Sequence, residues 1–85
     1  NYFWNGLKNI EAKYEGVTKI RGTGLLLGIQ TKMNNEKMCN KLIQKKLLCV
    51  PAADNIIRFA PPLIVTKKEI DKALQIIDLT FKENL

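Results

Sequence analysis

Arg58 is the residue whose type and place point most directly to chemistry. It sits between Ile57 and Phe59, just before Pro61–Pro62, in a chain that otherwise builds its positive charge from lysine: twelve Lys against two Arg, the other being Arg21. A planar guanidinium presents paired N–H donors in a fixed fork that matches a carboxylate or phosphate, which an ammonium does not. Arg58 is therefore either an anion grip or half of a structural ion pair on an edge strand, and residue type alone leaves both open. Arg21, beside a glycine turn, reads as structural. Gly22, Gly24 and Gly28 resemble a phosphate-cradling loop only at first sight. A dinucleotide fingerprint needs its third glycine at position 27, which is Leu, and a helix after it, where this pattern reads strand. The acids Glu11, Glu15, Glu36, Glu69, Asp71, Asp78 and Glu83 fall on helix faces or caps and make no catalytic pair. Asp54, in a turn, is expected to bond local backbone.

The sequence contains no histidine, which removes Ser-His and Cys-His nucleophiles, His-ligated zinc and an imidazole base. Cys39 and Cys49 are too few for a four-cysteine zinc site, and their apolar neighbours favour reduced, buried thiols. No residue is thus assigned as catalytic, cofactor-binding or metal-binding.

The elements that must position Arg58 follow from periodicity. Phe3, Leu7, Ile10 and Tyr14 make one helical stripe, with Gly16 expected to end the helix in a left-handed conformation. Val17, Ile20, Leu25, Leu27 and Ile29 suit a hairpin with strands over 17–21 and 24–31, and Gly28 inside the second strand implies a close neighbour. Asn34–Asn35 reads as a helix cap, with Met38, Cys39, Leu42 and Ile43 as the buried stripe and Lys45–Lys46 at the carboxyl end. A strand over 47–50 is expected to stop at Pro51, a turn to occupy 52–55, and a strand 56–59 to stop at Pro61–Pro62. Thr66 with Glu69 forms a capping box, flanked by Val65 and Ile70 at staple positions. Ile70, Ala73, Leu74, Ile77 and Phe81 line the last helix. The order α-β-β-α-β-β-α predicts an α+β fold: a small, mainly antiparallel sheet with helices packed on one face.

Eighty-five residues allow a single domain, 1–85, and 46% hydrophobic residues in periodic runs argue against disorder. The longest apolar stretches, 47–53 and 59–65, are too short to span a bilayer, so no membrane partner is expected. The net charge of +6 raises nucleic acid as a partner, but scattered lysines argue against it, and no nucleic acid is expected. A free-standing Lys-rich nucleic-acid-binding module stands as the alternative function. Asn1 as the first residue reads as a cut from something longer.

Two blocks carry a resemblance. Ile20–Arg21–Gly22–Thr23–Gly24–Leu25–Leu26–Leu27–Gly28–Ile29, and Asp54–Asn55–Ile56–Ile57–Arg58–Phe59–Ala60–Pro61–Pro62–Leu63 followed by Thr66–Lys67–Lys68–Glu69–Ile70–Asp71, resemble segments of class III pyridoxal-phosphate aminotransferases. The acetylornithine subgroup is the most similar and the ornithine subgroup next. The resemblance spans the chain, and it implies the small carboxyl-terminal domain of a longer cytoplasmic, homodimeric enzyme of arginine biosynthesis. That enzyme moves an amino group between an ornithine derivative and 2-oxoglutarate. Its cofactor, pyridoxal 5'-phosphate, and its cofactor lysine belong to a large domain outside these residues, so the isolated chain is expected to be inactive. By position, Arg58 matches the family arginine that binds the substrate α-carboxylate. Lys46 departs from the pattern where the family usually has a left-handed Gly, Gln30 replaces a frequent Glu, and Ala53 a frequent Gly. A non-functional product of a split or decaying gene would show similar drift. Without the large domain, apolar surface is expected near Phe3 and Trp4.

Overall fold

The computed structural model describes residues 2–23, 26–59 and 66–84. Its elements run α1 (Tyr2–Lys13), β1 (Val17–Thr23), β2 (Leu26–Thr31), α2 (Asn35–Gln44), β3 (Cys49–Ala52), β4 (Ile56–Phe59) and α3 (Lys67–Glu83), with a short 3-10 turn, Ala53–Asn55, between β3 and β4. This is the expected α+β order. The four strands form one antiparallel sheet ordered β1-β2-β4-β3.

The apolar stripes read from the sequence close the core over one side of the sheet. Phe3, Leu7, Ile10 and Tyr14 of the first segment meet Ala73, Ile77 and Phe81 of α3, above Ile20, Ile29, Ile57 and Phe59 of the strands. Phe3 packs edge-on against Phe59 with ring centroids 5.8 Å apart. Phe3 itself is thus buried, while its neighbours at that end of α1 leave apolar surface, Tyr2 exposed and Trp4 half-buried. Cys39 and Cys49 are free and buried, and burial with the neighbouring Cys39 pushes the Cys49 thiol up to about 12.

The caps explain where the helices begin. Asn34 accepts the Lys37 N–H at 3.0 Å, and Thr66 accepts the Glu69 N–H at 3.1 Å while its hydroxyl donates to the Glu69 carboxylate at 2.8 Å. Lys46 follows α2 with φ 71°, the left-handed conformation that costs a residue with a Cβ about 1–2 kcal/mol.

Four expectations are corrected. Gly16 does not adopt the left-handed conformation, and a Cβ there would press only on the movable end of Met33, with Cε at 2.4 Å. Its carbonyl instead accepts from Lys32 N and the Thr31 hydroxyl. Ile43 lies on the exposed side of α2, outside the buried stripe. The third strand begins at Cys49 and continues through Pro51 to Ala52, because β3 is an edge strand and pairs on one side only, where a missing N–H is tolerated. The first strand runs on to Thr23 and the second starts at Leu26. Gly24, Leu25, the Ala60–Pro61–Pro62 stop and Val65 lie outside the described residues.

Candidate functional site

Strand alternation divides the sheet into a face under the helices and a face without them. Register places Ile20, Ile29 and Ile57 in one buried row, and the next row reads Arg21–Gly28–Arg58–Val50. A further row on the same open face reads Lys19–Gln30–Ile56–Ala52. Arg58 and Arg21 are both exposed there, on strands separated only by β2, so their backbones stand about 9–10 Å apart.

Gly28 lies directly between the two arginines. A Cβ at Gly28 would meet Ile56 Cγ2 at 2.9 Å and the Ile57 carbonyl oxygen at 3.1 Å. The close neighbour implied by a glycine inside a strand is therefore the adjacent strand itself. The absent side chain leaves a trough between the guanidinium groups. Trp4, Lys19, Arg21, Gly28, Ile56 and Arg58 all line this concavity of about 450 Å³. Among the described residues, no side-chain hydrogen bond or ion pair engages Arg58 or Arg21, whereas the charge of Lys19 acts on Glu11. A guanidinium without an internal acid, beside a gap in the side-chain layer, can take a carboxylate on two parallel hydrogen bonds.

Sequence reasoning singled out Arg58 and treated Arg21 as a turn residue. The structure brings the two onto one face, and only the cross-strand register reveals it. Asp54 does not bond local backbone through its side chain as expected. It adopts φ 60°, and its carbonyl accepts from Gln30 Nε2. The local bonds come from Asn55, which the sequence reading passed over. At φ 61°, Asn55 donates to the Thr31 and Met33 carbonyls and accepts the Asn35 N–H, fixing the start of β4 and hence the register of Arg58. The tolerance of Asn for left-handed backbone was the available signal.

Pyridoxal phosphate, implied by the resemblance, does not fit the residues present. Its anchoring amine must be a lysine whose ammonium is readily deprotonated in a desolvated site. Lys13, in the α1–α3 groove, is bonded to Asp78, and that hydrogen bond holds its pKa above the usual lysine value. Lys45, half-buried, donates to Glu83 at 2.6 Å and Thr80 at 3.1 Å. The other described lysines are exposed.

Comparison with known proteins supplies the context for the open face. The family model described as "Aminotransferase class-III" matches residues 1–81. An acetylornithine aminotransferase of Clostridium acetobutylicum is 40% identical over 81 residues, covering 95% of this chain and 21% of the relative. An ornithine aminotransferase of a Geobacillus strain is 38% identical, covering 95% of this chain and 20% of the relative. The solved ornithine aminotransferase of Plasmodium yoelii superposes with a TM-score of 0.84 at 34% identity, over 95% of this chain and 23% of that one. The chain thus spans about a fifth of the length of the curated relatives it matches. With the family model covering nearly every residue, this chain belongs to the class-III aminotransferases.

Proposed function

We propose that this chain is the carboxyl-terminal domain of an acetylornithine/ornithine-type aminotransferase, in which Arg58 binds the α-carboxylate of 2-oxoglutarate and of the glutamate formed from it. The observation that carries this reading is the unengaged, exposed Arg58 beside the Gly28 gap. An ornithine derivative gives up its terminal amine, far from its carboxylate, whereas 2-oxoglutarate and the glutamate formed from it both carry a carboxylate next to the reacting carbon. One bidentate grip serves both, fixing the distance from the carboxylate to the reacting carbon. The guanidinium holds the carboxylate and takes no part in proton transfer. Its task is orientation.

The cofactor and its lysine belong to the large domain outside these residues, and the complete enzyme is expected to act as a cytoplasmic homodimer in arginine biosynthesis. The relatives' names support an ornithine derivative as amino donor. The test is a chimera in which this chain replaces the matched stretch of the Clostridium acetobutylicum relative. The chimera should transfer amino groups from N-acetylornithine or ornithine to 2-oxoglutarate, whereas the isolated chain should not. A folded chimera without transaminase activity would contradict the reading. So would borohydride trapping of pyridoxal phosphate on one lysine in every molecule of the isolated chain.

A further inference from the structure

Two half-buried side-chain amides, on Asn35 and Asn55, meet at the foot of β4. Asn55 Nδ2 donates to the Thr31 carbonyl at 2.6 Å and to the Met33 carbonyl at 2.5 Å, while its Oδ1 accepts the Asn35 N–H at 2.9 Å. Asn35 Nδ2 donates in turn to the Ala52 carbonyl at 2.9 Å and the Ile56 carbonyl at 3.0 Å. Ala52 and Ile56 face each other across β3 and β4, and Thr31 ends β2. Together these bonds fasten one end of three strands to the start of α2. They also hold strained backbone, since Asp54 and Asn55 both stand in the left-handed region, at φ 60° and φ 61°. Such backbone persists only where its surroundings over-determine it, and it gathers at functional places. Arg58 follows two residues after Ile56. It is flanked by Val50 on β3 but by Gly28 on β2, where no side chain supports it. Its guanidinium therefore takes its place from the β4 backbone, and a slip of one residue would turn it to the covered face.

We infer that Asn55 and Asn35 are positioning residues for the half of the reaction that uses 2-oxoglutarate: their amides lock β4 in place and, through it, the Arg58 guanidinium. Neither amide lines the concavity around Arg58, so both act through the backbone alone. Misplacing a grip by about 1 Å costs a well-oriented reaction up to about a hundredfold. The ornithine-type donor, whose reacting amine lies far from its carboxylate, depends less on that placement. The inference rests on the proposed role of Arg58 and adds the residues that set its position.

Kinetics of the chimera test it, because a transaminase alternates two half-reactions and kcat/KM for each substrate reports its own half. Asn55→Gly keeps the left-handed backbone accessible and removes the amide. It should lower kcat/KM for 2-oxoglutarate by about tenfold and that for N-acetylornithine by less than about twofold. In an Arg58→Lys background the same substitution should change kcat/KM for 2-oxoglutarate by less than about twofold, since a residue acting only through Arg58 loses its effect with it. Asn35→Ala leaves the Asn35 N–H bond to Asn55 in place and should give the same pattern at about threefold. That variant decides the matter where Asn55→Gly does not fold. Unchanged kcat/KM for 2-oxoglutarate in folded Asn55→Gly overturns the inference. An equal loss for both substrates, or a full loss that persists beside Arg58→Lys, also overturns it and marks the amides as structural only. Failure of the grip itself reads differently: Arg58→Lys alone would then leave 2-oxoglutarate unaffected. A reduced Arg58→Lys beside an unaffected Asn55→Gly fails this inference alone.

Discussion

Along the seam between α1 and α3, Lys13 Nζ reaches Asp78 at 2.7 Å, the Tyr14 hydroxyl donates to the same carboxylate, and the Tyr2 hydroxyl donates to Asp71. On the open face of the sheet, Arg21 and Arg58 have no such side-chain partners among the described residues. The same fold thus spends its acids where two helices meet and withholds them where the sheet faces outward. Polar groups with internal partners tie elements together, whereas a row of cations without them is directed at something beyond the chain. The contrast carries the functional reading, and substitutions on the two sides should behave differently.

The largest expected effect lies on the helix side. Phe81, fully buried against Tyr14, should cost about 3–5 kcal/mol when changed to Ala, measured by denaturant unfolding. Arg58→Ala in the same assay should stay within about 0.5 kcal/mol of the parent. A loss at Arg58 comparable to that at Phe81 would break the comparison.

Gly28→Val should be intermediate. A side chain there must push back Ile56 and the Ile57 carbonyl, at about 1–3 kcal/mol in unfolding measurements, and it would also fill the trough between the arginines. A smaller effect is expected at Lys46→Gly, which relieves a left-handed Cβ and should stabilise the chain by about 1 kcal/mol in the same measurement.

The pH dependence of stability sharpens the contrast by direction. Burial raises the Asp78 carboxyl, but the hydrogen bonds from Lys13 and Tyr14, with the charges of Lys13 and Lys82, more than offset it and leave its pKa below the usual value. A carboxyl depressed in the folded state contributes stability above its unfolded pKa, near 4, and loses it as pH falls through the lower folded value. Unfolding followed between pH 6 and pH 2 should show a steeper loss in the parent than in Asp78→Asn. Parallel curves would remove the seam from the account.

Much of the architecture was legible because its signals are local. The Thr66–Glu69 capping box, the stripe from Phe3 to Tyr14 and the strand Ile56–Phe59 each lie within a few residues of one another, and each stands where the sequence places it. What escaped depends on distant partners. Pro51 reads as a stop until β3 is known to be an edge, and Gly16 reads as a cap until its carbonyl is seen to bond Lys32 and Thr31. The candidate site divides the same way. Arg58 stands out by residue type in a lysine-rich chain. Arg21 joins it only through pairing across β2, a register shaped by the irregularity between Val17 and Lys19.

Kinetics of the chimera with Arg58→Lys test the central claim most directly. A charge-assisted bidentate bond is worth about 1.5–3 kcal/mol, so kcat/KM for 2-oxoglutarate should fall by about 10- to 150-fold, with a smaller loss for the ornithine-type donor and the unfolding midpoint unchanged. Unchanged kcat/KM for 2-oxoglutarate, or a loss that follows a drop in stability, would contradict it.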